Sequence, residues 1–210
     1  MKTLLARILC SAAHSMWQKN PTLGQYTSET CQHELNLAFH YACELRRWFP
    51  WLDCDFDVSK RSSKFERPDI ILHRRNTHAL NFLVIEVKRE TKRRGVAGDL
   101  HQIRDRWFEN VFRYRFGAAV ILDDKAPTFE MQVLSRHAKN DAPVILKSSN
   151  MGEPLSAPNF ARVRRKTFTR TIGHIVAARQ QDNSANVSEF EREIDQHVLA
   201  LFGLNHKQGA

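Results

Sequence analysis

Apolar residues recur along this chain with two periods, and the switches between them mark its elements. From Thr30 to Phe49 the residues Leu35, Ala38, Phe39, Ala42, Leu45 and Phe49 fall at helical spacing, which predicts one amphipathic helix stopped by Pro50. At about 100° per residue, Glu34 lies on the flank of that stripe and Glu44 on the opposite, solvated side. Only Glu34 is then expected to look along the core. Asp53 to Val58 alternates acidic residues with Cys54, Phe56 and Val58, the pattern of a strand with one buried face. The basic loop KRSSKFER separates it from two apolar runs, Ile70 to Leu72 and Phe82 to Ile85, whose length and branching suit the strands of a hairpin.

A second helix is predicted from Asp99 to Val111, with Leu100, Ile103, Trp107 and Val111 on one face and Asp99 placed to cap its start. Gly117 to Leu122 follows as an uninterrupted apolar run, as in a strand buried on both faces. Strand, helix, strand implies a parallel crossover. Further strands are expected at Phe129 to Leu134 and Val144 to Lys147. The segment RVRRKTFTR, Arg162 to Arg170, interleaves Arg164, Lys166 and Arg170 with Val163 and Phe168, like a strand with one basic face. A last helix carries Ser188 and Glu191 at capping-box spacing and a stripe of Phe190, Ile194, Val198 and Leu201 before Gly203. It is expected to close the fold or to form a dimer contact. The opening MKTLLARILCSAAHS imitates a signal peptide, but Arg7 interrupts its apolar stretch, so it reads as an amphipathic helix.

Composition narrows the partner more than the fold. The chain has 210 residues, which suits a single domain spanning 1–210. No run approaches the length of a membrane span. A formal net charge of +9 favours a polyanion, because clustered Lys and Arg displace counterions from phosphates. The four cysteines, Cys10, Cys31, Cys43 and Cys54, include no CxxC pair and no zinc-finger spacing, so the simpler expectation is a reduced, cytoplasmic protein.

The chemistry concentrates in the hairpin. Folded about a centre between Thr77 and His78, it sets Ile71 opposite Val84 and Asp69 opposite Glu86. Glu86 and Lys88 share a face with Phe82 and Val84, while Leu83, Ile85 and Val87 occupy the other. Pro-Asp is common at turns, and a Glu-x-Lys triplet is common on wet strands. The apolar run before Glu86 argues against a wet strand here. Two carboxylates side by side at the end of a buried strand pair repel each other and lose hydration, a cost that a divalent cation offsets. Mg²⁺ takes one or two carboxylates, several waters and substrate phosphate, and Lys88 stands where it could steady developing charge.

The residues RPDIILHRR and NFLVIEVKRE, with the order of elements around them, resemble the PD-(D/E)XK nuclease superfamily over roughly Thr30 to Asp123. The resemblance implies an α/β fold with a restriction-endonuclease-like αβββαβ core at about 28–124, its mixed central sheet flanked by helices; the residues beyond it, about 125–210, read from their own pattern as a C-terminal strand/helix extension. It implies that Asp69 and Glu86 ligate a metal, that the Val87 carbonyl is a further ligand, and that Lys88 is the catalytic lysine. Glu34 corresponds to the acidic residue that members place on the first helix. Gln102 matches a glutamine some carry on the second, although Asp99 and Gln102 also satisfy a capping box. The expected activity is Mg²⁺-dependent hydrolysis of DNA, with Mn²⁺ able to substitute, by an endonuclease of host defence, repair or a mobile element. A nuclease-fold module or subunit that binds nucleic acid without cutting is the alternative. Lys92, Arg93 and Arg94 leave the catalytic strand directly and, with Arg164 and Lys166, are the candidate phosphate contacts. A homodimer is the simplest device for cutting both strands of a duplex.

Overall fold

The computed structural model describes residues 1–30, 33–57, 67–75, 80–109, 112–157, 170–171, 173–175, 177–178, 181 and 187–201. Its elements are α1 (Lys2–Lys19), α2 (Leu23–Thr30), α3 (His33–Trp48), β1 (Asp53–Phe56), β2 (Ile70–His73), β3 (Asn81–Arg89), a 3₁₀ segment (Glu90–Gly95), α4 (Val96–Gln102), a π-helical turn (Ile103–Trp107), β4 (Phe116–Leu122), β5 (Phe129–Ser135), β6 (Val144–Lys147) and α5 (Ser188–Leu201). The strands form one mixed sheet in the order β1-β2-β3-β4-β5-β6. Only β3 and β4 run parallel, joined by the crossover that carries α4, and every other neighbouring pair is antiparallel.

Helices cover both faces, which explains why the central strands read as apolar runs rather than alternations. All seven residues of β4 are buried. On one face, Leu83, Ile85, Val87, Val120, Met131 and Val133 pack with residues of α1 and α3. On the other, Ile71, Val84, Ala119, Ile121 and Leu134 pack with Val96, Leu100, Ile103 and Trp107. The approach there is close. A Cβ on Gly117 would overlap the Ile103 side chain, so only glycine lets the π-helical turn lie this near β4.

Helix α1 forms over the segment read as an amphipathic helix, and its apolar residues lie deep in the core. Leu5, Ala6, Ile8, Leu9, Cys10, Ala12, Ala13 and Met16 are all buried, and the helix packs on α3, β5 and β6. Its position corrects the reading of α3. The buried row of α3 is Leu37, Tyr41, Leu45 and Trp48, whereas Leu35 and Phe39 are about half exposed, at 50% and 51%. Two residues along a helix turn through about 200°, so Leu35 and Phe39 lie opposite Leu37 and Tyr41. Glu44 falls in the buried row and not on a solvated side. It is satisfied there by Ser15 at 2.9 Å, Lys19 at 2.6 Å and Arg47 at 3.1 Å. These cations hold its carboxyl below the usual range against the opposing effect of burial. Tyr41 adds a hydrogen bond to the Leu9 carbonyl, 3.1 Å.

Other boundaries also move. Strand β1 ends at Phe56, and Val58 lies outside the described residues. Helix α4 begins at Val96, so Asp99 sits within its first turn instead of capping it. Leu100, Ile103 and Trp107 are buried as expected, and Val111 lies outside the described residues. The Glu191 carboxylate pairs with His137 at 3.2 Å and Arg136 at 3.9 Å, and the Ser188 side chain of the expected capping box lies outside the described residues. In α5, Ile194 and Val198 are buried and Phe190 is half-buried. The segment 162–169 lies outside the described residues, and Arg170 is helical rather than extended. Cys10, Cys43 and Cys54 are free thiols. Strands β5 and β6 continue the same sheet, so Phe129–Ser135 and Val144–Lys147 add to the central layer.

Candidate functional site

The register of β2 on β3 organises the site. Ile70 pairs with Ile85 and Ile71 with Val84, and extending that ladder one step sets Asp69 across from Glu86. The expected register therefore holds at this end of the hairpin. At the other end a bulge between Leu72 and His73 shifts it, so that His73 meets Asn81. Residues 76–79 lie outside the described residues.

Asp69 stands one residue before β2, after a buried Pro68, and both its backbone and side chain fix it. Its carbonyl accepts from the Asp57 amide at 2.9 Å. Its Oδ2 accepts from the Val87 amide at 2.6 Å, taking the place of the backbone carbonyl that would have continued the ladder. The N–H and C=O of one residue leave a strand toward the same neighbour. The Val87 carbonyl accordingly points to the Asp69 side, while its side chain joins the opposite apolar layer.

Ile71 and Val84 belong to the layer under α4, and the alternation of β3 carries Glu86 and Lys88 onto that same face. Glu86 is buried, 7% exposed, and its neighbour on β4 is only Ala119. Among the described residues none donates a hydrogen bond to its carboxyl. Burial, the adjacent Asp69 charge and Asp99 push it up to about 8, against the pull of Lys88. Asp69 is also raised by burial, but the Val87 amide and Lys88 oppose that effect. The Asp69 charge is thus one of the causes that favour the protonated form of Glu86.

Two more carboxylates border this pair. Glu34, from the first turn of α3, pairs through Oε2 with Lys92 at 2.9 Å, and its buried Oε1 has no hydrogen-bond partner among the described residues. Its charge is felt at Asp69, Lys88 and Asp99. Asp99 Oδ2 lies 3.6 Å from the Lys88 Nζ, and that oxygen is buried without a hydrogen bond among the described residues. The sequence reading gave Asp99 only a capping role. The signal that it belongs here was its place in the first turn of the helix that follows the Glu86 strand.

The remaining candidates divide. Gln102, at the end of α4, makes no hydrogen bond to a site carboxylate among the described residues. Lys92 is tied to Glu34. Arg93 is tied to Glu90 at 2.7 Å and to the buried Glu130 at 3.0 Å. Arg94 is exposed and has no ion-pair partner among the described residues. Arg164 and Lys166 lie outside the described residues. Among the described residues no three His, Cys, Asp or Glu side chains converge into a ready-made metal cage. Nor is any described helix long and apolar enough to cross a membrane. Comparison with known proteins finds no matching family model, no matching curated protein and no matching solved structure.

Proposed function

We propose that this protein is a Mg²⁺-dependent nuclease of the PD-(D/E)XK type, hydrolysing phosphodiester bonds in DNA. The observation that carries the reading is the Asp69–Glu86 pair: a half-buried and a buried carboxyl set across from one another, one steadied by the Val87 amide and the other raised by burial and by the Asp69 charge. The order helix, three-strand meander, helix, parallel strand, formed by α3, β1, β2, β3, α4 and β4, supports a restriction-endonuclease-like core.

The donor set fits Mg²⁺, which is held by one or two carboxylates and otherwise keeps water and phosphate oxygens. Asp69 and Glu86 would hold it, with the Val87 carbonyl and Glu34 adjoining. When bound, the ion supplies Lewis-acid polarisation of the scissile phosphate and a more acidic water. The chain supplies the rest. The Val87 amide orients Asp69, the apolar layer of Val84, Val96 and Leu100 keeps bulk water from one side, and Lys88 places an ammonium to steady charge developing on the phosphoryl oxygens.

The test is DNA cleavage by purified protein with Mg²⁺ or Mn²⁺, with EDTA as the control. Wild type is expected to cut, and Lys88→Ala to lose about 10² to 10³ in rate while still binding DNA. Nicking that survives both EDTA and Asp69→Ala would belong to a contaminant and refute the proposal. DNA binding without any metal-dependent cleavage would favour the alternative of a non-cutting nuclease-fold module.

A further inference from the structure

The Lys88 ammonium poses a problem that the Asp69–Glu86 pair does not solve. Burial disfavours the Lys88 ammonium, and Asp99, ahead of Asp69, holds it against that effect. A dication on Asp69 and Glu86 would cancel the Asp69 attraction and itself repel the ammonium. The stem of Lys88 lies beside Gly95, where a Cβ would sit 4.0 Å from its Cε, so the crossover brings α4 close to the lysine. Asp99 answers that repulsion. It sits in the first turn of α4, and its Oδ2 faces the Lys88 Nζ at 3.6 Å. That oxygen is buried and makes no hydrogen bond among the described residues, which leaves it to Lys88.

We infer that Asp99 is a positioning residue for Lys88, the carboxylate that keeps the ammonium at the reacting phosphate once a divalent ion occupies Asp69 and Glu86. The inference rests on the nuclease reading for its catalytic meaning, while the pair itself can be tested without DNA. Asp99 is not a metal ligand in this assignment. It acts through Lys88, and its loss leaves the ion in place.

The experiment has a metal arm and a kinetic arm. In the first, protein loaded with Mn²⁺ and free of DNA is treated with an amine-acylating reagent, and modification of Lys88 is followed by mass spectrometry. Asp99→Asn is expected to raise Lys88 labelling several-fold, Asp99→Glu to restore protection in part, and Mn²⁺ affinity to be unchanged in both. In the second, Asp99→Asn is expected to lower kcat about 10- to 100-fold with little change in KM, as for loss of a partner that orients a reacting group. In a Lys88→Ala background the same change should cost nothing further, because the group it positions is gone. Unchanged Lys88 labelling overturns the inference, whether or not the protein cuts DNA. Weakened Mn²⁺ binding with additive losses in kcat also overturns it, by making Asp99 a ligand. A labelling effect without cleavage by the wild type supports the pair and overturns the nuclease reading alone.

Discussion

Glu86 concentrates the unfavourable electrostatics of the metal-free protein, and that gives it a pH signature. Its carboxyl is raised from 4.5 to about 8, chiefly by burial and then by Asp69. The folded state thus holds a proton that the unfolded chain releases earlier. Stability is highest below the unfolded value and falls as pH rises from about 4.5 to about 8, by up to about 1.4 kcal/mol per pH unit. Glu86→Gln imitates the protonated group and removes this dependence. Urea melts in EDTA should show the Gln variant gaining a few kcal/mol over wild type between pH 5 and pH 8, and Mg²⁺ should reverse the difference by stabilising only wild type. A gap between the two proteins that does not change with pH would mean that Glu86 has a permanent cationic partner. The pairing of Asp69 with Glu86 was legible in the sequence because hairpin register follows from the spacing of two apolar runs. Asp99 was not, since its significance depends on where a helix starts, and helix starts are set by packing as much as by capping residues.

At the scale of elements, legibility followed the number of faces a segment buries. Strands β3 and β4 were readable as runs because nearly all of their residues are buried, so their apolar content does not depend on orientation. In helix α3 the predicted stripe holds at Ala38, Ala42, Leu45 and the following Phe49, all buried, and fails at Leu35 and Phe39. The apolar residues of α3 nearly encircle it, and only the arrival of α1 decides which face is covered. Glu44 was misjudged for the same reason, because the Lys19 and Ser15 that satisfy it come from another helix. The sheet side opposite α1 makes a sharper demand, at Gly117. Its substitution by alanine would place a methyl group where the Ile103 side chain lies, with the Phe108 ring 3.3 Å away. Overpacking of this kind costs about 1 to 3 kcal/mol. Because Ile103 opens the π-helical turn whose Phe108 amide bonds back to its carbonyl at 3.0 Å, the strain would be relieved by shifting α4, which carries Asp99. Gly117→Ala is therefore expected to lower the urea midpoint and, under the nuclease reading, to lower kcat as well. A variant as stable as wild type would show that the crossover packs more loosely on β4 than these contacts imply.

At the scale of the whole molecule, a net charge of +9 creates a field that attracts any polyanion, but the field does not say which cations touch it. The basic run after β3 separates the two effects, because its three cations differ in their neighbours. Lys92 is compensated by Glu34, Arg93 by Glu90 and Glu130, and Arg94 stands exposed without an ion-pair partner among the described residues. A phosphate approaching Lys92 or Arg93 competes with a carboxylate already in place, whereas one approaching Arg94 does not. Lys92→Ala and Arg94→Ala each remove one positive charge, so a purely long-range field predicts equal losses of affinity. Direct contact predicts a difference in the salt dependence: the slope of log K against log salt should fall by about 0.9 for Arg94→Ala, the value for one phosphate contact on duplex DNA, and by much less for Lys92→Ala. Fluorescence anisotropy with a duplex over a range of KCl, in EDTA to prevent cutting, measures both slopes on the same protein preparation. Several unrelated duplexes should give the same result, because phosphate contacts position the protein without reading sequence. Equal slopes for the two variants would place the DNA path away from the 3₁₀ segment, and a larger effect at Lys92 would mean that Glu34 releases it when nucleic acid binds.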